Sequence, residues 1–221
     1  MKTSTSTGTD WIDSNCLKAV SDIIAHAMTH ITNLSISTTT FSSSYKTSKI
    51  IPLKKFAEVS DMSLSCSSYR PVNLLPLPGK IVERIVFSQV AEYLEENGLL
   101  HQNHYGGRKG HSTATALIEM YDNWVEEMEN GKLGGALMVD QAAAFDLCDH
   151  IILEAKVDLL LGGGGEGACN PGTMWVRSYM AGRYQCTLVG GFMSIPIKLP
   201  PVSVIQGGVG ANHQTSPTPK E

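Results

Sequence analysis

The stretch Ala136-Leu-Met-Val-Asp-Gln-Ala-Ala-Ala-Phe-Asp-Leu-Cys-Asp-His150 decides how the rest of the chain is read. An apolar run stops at a bare acid, Asp140, and small residues then lead to Phe145-Asp146. A carboxylate buried without a partner is strongly unfavourable, so Asp140 must meet water, a hydrogen-bond donor or a metal ion. Residues 135–139 read as a short buried strand that delivers Asp140 at its C-terminal part. From these residues alone two roles stay open: a strand-end acid taking local turn hydrogen bonds, or a metal ligand.

Working outward, Asp149 is placed to cap a helix containing Ile152, Val157 and Leu160, which Gly162 to Gly165 interrupt. Upstream, Ser112 or Thr113 can cap a helix that is predicted to bury Leu117, Tyr121, Trp124 and Met128 and to end at Gly131. Before it lies a glycine-rich basic turn, Tyr105-Gly-Gly-Arg-Lys-Gly-His-Ser112. Ile81, Ile85, Val86, Val90, Tyr93 and Leu94 mark another helix, stopped by Asn97-Gly98. The preceding segment, Tyr69-Arg-Pro-Val-Asn-Leu-Leu-Pro-Leu-Pro-Gly79, reads as non-helical because of its prolines. Apolar spacing over residues 16–34 predicts an amphipathic helix, and the Ser/Thr-rich residues 35–48 a loop. Ile50-Ile-Pro-Leu53 reads as a short strand, which Pro52 restricts to an edge or an end. Residues 57–68 read as a polar loop. Residues 184–189 and 194–199 resemble a hairpin around Gly190-Gly191, and residues 212–221 a disordered tail.

The chain has 221 residues, 42% hydrophobic and 17% charged, with a net charge of −4. This argues mildly against a freestanding nucleic-acid binder, whose surface is usually basic. The charge is uneven: Lys46, Lys49, Lys54, Lys55, Arg70, Lys80 and Arg84 form a basic region with few acids. No apolar run reaches the ~18 residues of a membrane span, and no apolar signal core opens the sequence. Five cysteines without a C-x-x-C indicate neither a disulfide framework nor a zinc site. An intracellular location, cytoplasmic or nuclear, without a membrane partner, is the expectation.

Six segments resemble one family in order and spacing. Tyr69-Arg-Pro-Val-Asn-Leu-Leu-Pro76 is similar to the "YRPISLLP" of reverse transcriptases from non-LTR (LINE-type) retrotransposons, and Lys80-Ile-Val-Glu-Arg-Ile-Val86 to the "KIFERIV" that follows. Tyr93-Leu-Glu-Glu-Asn-Gly-Leu-Leu100 resembles "YLEENNLL", and residues 105–117 resemble "YGFRKGHSTETAL". Residues 140–150 resemble "DLSKAFDTVDH", and Trp175-Val-Arg-Ser-Tyr-Met-Ala-Gly-Arg-Tyr-Gln185 resembles "WFRSYLSNRYQ". A seventh match is weaker. Ser203-Val-Ile-Gln-Gly-Gly-Val-Gly210 keeps the Gln206-Gly207 of "GVPQGSVLGP" but has Ile205 for its Pro and Gly208 for its Ser.

The resemblance implies an α+β fold: reverse-transcriptase-like fingers over residues 16–134 and an incomplete palm over 135–211. The palm would be a partial antiparallel sheet packed with helices, flanked by tails at 1–15 and 212–221. It implies RNA-directed DNA polymerase chemistry with an RNA template, a DNA primer, a dNTP and Mg²⁺. Asp140 and the carbonyl of Gln141 would hold metal, with Asp140 the catalytic carboxylate. Lys54 or Lys55, Arg70, Phe145 and Gln206 would serve the incoming nucleotide, Phe145 beneath its sugar. Arg108 and Lys109 would meet the template backbone. Asp146 reads as structural, and Ala143 replaces the family's usual Lys. The sequence contains no Y-x-D-D strand, and one carboxylate cannot position two Mg²⁺ ions about 3.5–4 Å apart. The expectation is therefore a chain that does not polymerise alone. The alternative is a non-enzymatic nucleic-acid-binding remnant or a scaffold.

Overall fold

A computed structural model describes residues 6–54, 69–141, 144, 146–162 and 170–204. Near its start, the Asp13 carboxylate accepts the Cys16 N–H at 2.7 Å and so caps α1 (Ser14–Ala19). Val20 then leaves helical geometry, with φ −109° and ψ 12°, and α2 (Ser21–Ser37) begins. The helix expected over 16–34 is thus two. The Ser/Thr-rich segment after α2 is not merely a loop. Phe41 is 1% exposed at the centre of the core, and its N–H donates to Ser178 Oγ at 2.9 Å.

The strands are β1 (Thr47–Lys54), β2 (Tyr69–Leu74), β3 (Tyr184–Val189), β4 (Phe192–Met193) and β5 (Ile197–Lys198). They run in the order β2-β1-β3-β4, with β5 also on β3. β1 pairs antiparallel with β2 and parallel with β3. The fold is α+β as expected, but its sheet is mixed rather than antiparallel. The reason is connectivity: β3 reaches β1 after intervening helices, and a crossover of that kind permits parallel pairing where a hairpin does not. β1 is accordingly interior, and it still accommodates Pro52. Pairing with β3 stops at Ile50, and Pro52 faces Pro71 across the β1–β2 ladder, so neither proline's missing N–H is required.

The expected hairpin forms. Val189 faces Phe192, and the intervening Gly190 and Gly191 have φ of 56° and 86°. Positive φ at both positions is the demand of a type I′ turn. Farther along, the register shifts by one residue, from Leu188↔Met193 to Gln185↔Ile197. The extra residue makes a bulge that takes up Pro196. Ser194 Oγ accepts the Thr187 N–H at 3.0 Å there.

α3 (Leu77–Glu96) begins before Gly79, earlier than expected, because Pro78 falls in its first turn, where no N–H is needed. Gly98, with φ 61°, ends it. Ser112 and Thr115 form a reciprocal capping box for α4 (Thr113–Glu129). Asp149 caps α5 (His150–Leu160), and Asn170 caps α6 (Pro171–Met180). α6 carries most of the core. Its Trp175, Val176, Tyr179 and Met180 pack with Phe41 and Val82, and Phe87 lies against the cluster. Trp175 stacks on Tyr179 at 5.6 Å, and Phe41 meets both rings edge-on. Two charges enter this core: Glu83, hydrogen-bonded to the Tyr179 hydroxyl, and Arg183, whose guanidinium lies 4.1 Å over the Tyr179 ring.

Two expectations of burial fail. Residues 135–139 form no strand: Leu137 is 90% exposed and Val139 82%. An isolated extended run has no ladder for its backbone groups, and among the described residues no strand pairs with it. On α4, Leu117, Tyr121 and Met128 are exposed and only Trp124 is half-buried. Periodicity marks an apolar face, but no described element covers this one.

Candidate functional site

The β1–β2 register sorts the basic region by face. Ile50 opposes Asn73 and Lys54 opposes Tyr69, which puts Lys54 and Asn73 on one face of the sheet. Ser48 opposes Gln185 across β1–β3, so Gln185 joins them. Arg70 opposes Leu53 and points to the other face, with Lys49 and Cys186. Lys49 is buried there, its Nζ bonded to Thr7 Oγ1 at 3.2 Å and set 4.4 Å over the Trp11 ring. Part of the basic region is therefore structural.

On the Asn73 face lies a cavity of about 250 Å³, lined by Asn73, Asp146, Gln185 and Ser203 together with Leu199 and Val202. The segment carrying Ser203 is latched to the start of α5. Ser203 N–H donates to the Cys148 carbonyl at 3.0 Å, and Val202 bridges Asp149. His150 Nε2 lies 2.9 Å from the Ser203 carbonyl. A carbonyl only accepts, so Nε2 carries the proton. Ser203 holds φ 126°, a strained conformation for a residue with a side chain. Asn73 Oδ1 is buried and receives no donor from the described residues. An orphan acceptor of this kind costs about 1–3 kcal/mol until something donates to it. The cavity can thus take a ligand that offers hydroxyl or N–H groups.

Asp140 and Gln141 are exposed in the irregular stretch after α4. Lys55, Phe145 and Gln206 lie outside the described residues. Arg108 is already engaged: Nε and Nη2 fork onto Glu95 at 2.9 and 2.7 Å, and Nη1 reaches the His101 carbonyl at 3.4 Å. The guanidinium holds the Glu95 carboxyl below its usual range. Lys109 beside it is exposed. Among the described residues no group of three or more His, Cys, Asp or Glu could hold a metal ion. Asp140 with the Gln141 carbonyl is too small a donor set for a two-metal centre.

Sequence reasoning did not single out Asn73, Gln185 or Ser203. Asn73 and Gln185 lie inside the Tyr-Arg-Pro and Arg-Tyr-Gln segments, but amides carry no charge or spacing signal, and only the strand register reveals that they meet.

No protein-family model matches the chain. Curated relatives do. An RNA-directed DNA polymerase from the mobile element jockey of Drosophila melanogaster is 26% identical over 67% of this chain, and its Drosophila funebris counterpart 27% over 70%. A probable RNA-directed DNA polymerase from transposon BS of Drosophila melanogaster is 28% identical over 66%. These alignments span only 15–16% of the relatives' own length. They bear out the resemblance read from the motifs: the chain is similar, over about two thirds of its length, to the polymerases of non-LTR retrotransposons.

Proposed function

We propose that this chain is a nucleotide- and nucleic-acid-facing part of a reverse transcriptase, with the cavity at Asn73 as its nucleotide pocket. The observation that carries this reading is convergence. Asn73 from the Tyr-Arg-Pro segment, Asp146 from the Phe-Asp segment and Gln185 from the Arg-Tyr-Gln segment line one cavity, although 39 or more positions separate each from the next. The similarity to RNA-directed DNA polymerases supplies the substrate class: a dNTP, with an RNA template and a DNA primer. Asn73 would accept from a sugar hydroxyl or a base amino group. Lys54, on the same face, would meet phosphate. Arg70, on the opposite face, would serve a strand backbone.

Magnesium enters through Asp140 and Gln141 only as a partial ligand set, so no catalytic step is assigned to this polypeptide by itself. We infer that it binds nucleotide and RNA without polymerising. The exposed, solitary Asp140 favours a non-enzymatic binding role for the isolated chain as the second reading. The test is primer extension on an RNA template with the purified chain and Mg²⁺, alongside binding of a fluorescent dNTP. Nucleotide binding that weakens in Asn73→Leu, without extension, is expected. Extension that disappears in Asp140→Asn would overturn the inactivity, and no nucleotide binding by the parent chain, or binding unchanged in Asn73→Leu, would overturn the pocket.

A further inference from the structure

We propose that a second cavity, between the turn before Tyr105 and α4, takes one unstacked guanine base of a single-stranded RNA. The inference rests on the nucleic-acid reading above and adds a base-specific site to it. The cavity measures about 260 Å³, room for a single heterocycle, and it is built on one helix face. Ala116, Glu119, Met120, Asn123 and Trp124 follow the i, i+3, i+4, i+7, i+8 pattern. Asn103 and Tyr105 close it from the turn.

The chemistry of the lining selects the ligand. Trp124 and Tyr105 are both half-buried and offer flat π surfaces, on which an unpaired base stacks. Tyr105 is held in place by the His111 ring, 5.4 Å away, and the main chain at Gly134 passes close to one edge of Trp124. Glu119 is an exposed carboxylate with no cation against it among the described residues, the one charged group in a lining whose other polar groups are two amides, the Tyr105 hydroxyl and the Trp124 indole N–H. A carboxylate accepts two parallel N–H bonds. Of the four common RNA bases only guanine presents two adjacent donors, its N1–H and its exocyclic amine. The others set an acceptor beside each donor. Asn103 and Asn123 each donate and accept, which suits the remaining carbonyl and ring nitrogens of guanine. The same carboxylate repels phosphate, so the base and not the backbone enters. The backbone is left to Lys109 on the adjoining turn, since Arg108 is committed to Glu95.

The experiment measures fluorescence anisotropy of labelled uridine octamers with the full chain. One octamer is all uridine, one carries a single central guanosine, and one a central inosine, which lacks the exocyclic amine. The guanosine octamer is expected to bind about tenfold tighter than the all-uridine one, with inosine losing most of that gain. Glu119→Gln, at an exposed position where folding is not at stake, is expected to abolish the preference, with all-uridine binding no weaker than in the parent because a carboxylate that repels phosphate is gone. Equal binding of all three octamers, or a preference that survives in Glu119→Gln, overturns the guanine site while leaving general RNA binding intact. Failure of every octamer to bind overturns the nucleic-acid reading as well.

Discussion

Lys54 and Arg70 stand near the same end of the β1–β2 ladder on opposite faces of the sheet, Lys54 across from Tyr69 and Arg70 across from Leu53. A small ligand resting on one face meets one of them. Because Asn73 and Gln185 share the Lys54 face, Lys54→Ala is expected to weaken dNTP binding about tenfold, as loss of a phosphate contact does. Arg70→Ala should leave nucleotide affinity within about twofold and weaken RNA binding instead. Titration with a fluorescent dNTP, repeated with RNA, checks both. Equal nucleotide defects in the two variants would mean that the triphosphate bridges the faces.

Arg108 and Lys109 are adjacent and expected to behave differently. Lys109 is free to meet phosphate, so Lys109→Ala should lower RNA affinity at all sequences and reduce the salt slope by about one. Arg108 is spent on Glu95 and the His101 carbonyl, so Arg108→Ala should loosen the turn while leaving that slope unchanged. RNA binding measured across a salt series separates the two. In acid, the Glu95–Arg108 pair also sets a direction. The depressed Glu95 carboxyl contributes stability above its ordinary value, and this is lost as pH falls through the lowered one. The contribution is small, because both groups are at the surface.

Much of the helical layout was legible because it is written locally: Ser112, Asp149 and Gly98 act within one turn of the residues they cap or stop. The Gly190-Gly191 hairpin was legible for the same reason. What sequence did not disclose was long-range. Phe41 sits in a Ser/Thr-rich segment whose composition says loop, yet it fills the core against α6, far along the chain. The parallel β1–β3 pairing and the meeting of Asn73 with Gln185 depend on register between distant strands. Asp140 stands out in the sequence as a bare acid after an apolar run, but that run has no partner strand among the described residues, so a strand pattern did not become a strand.

Phe41 offers a direct test of that core. It is 1% exposed and meets the rings of Trp175 and Tyr179 edge-on. Phe41→Ala should cost about 3–5 kcal/mol, the range for emptying a large aromatic site. Ser178→Ala removes only the acceptor for the Phe41 N–H and should cost about 1 kcal/mol. Urea unfolding of both variants gives the comparison.

Tyr179 predicts the alkaline limit. Burial, and then the neighbouring Glu83 carboxylate and their hydrogen bond, raise its phenol well above the ordinary 10.0, with Arg183 opposing. Above 10.0 the unfolded chain loses this proton while the folded chain keeps it. Stability is therefore whole below that pH and declines as pH rises above it. Tyr179→Phe should flatten the decline between about pH 10 and about pH 11. At neutral pH it should cost about 1–3 kcal/mol, because Glu83 loses a donor. Unfolding midpoints across that range decide the matter: an unchanged alkaline limb in the variant assigns it to another group.

The face of α4 that carries Leu117, Tyr121 and Met128 separates amphipathicity from burial. These side chains are 58%, 63% and 65% exposed, so their substitution removes little packing. Each change to Gln is expected to alter stability by no more than about 0.5 kcal/mol. Met180→Ala, at 5% exposure in the α6 core, should cost about 2–5 kcal/mol. The triple Gln variant should also bind less of a hydrophobic dye than the parent, since it removes a contiguous apolar strip. Should the α4 substitutions instead unfold the chain as readily as Met180→Ala, that face is covered in solution, and the segment that covers it would be found by hydrogen exchange.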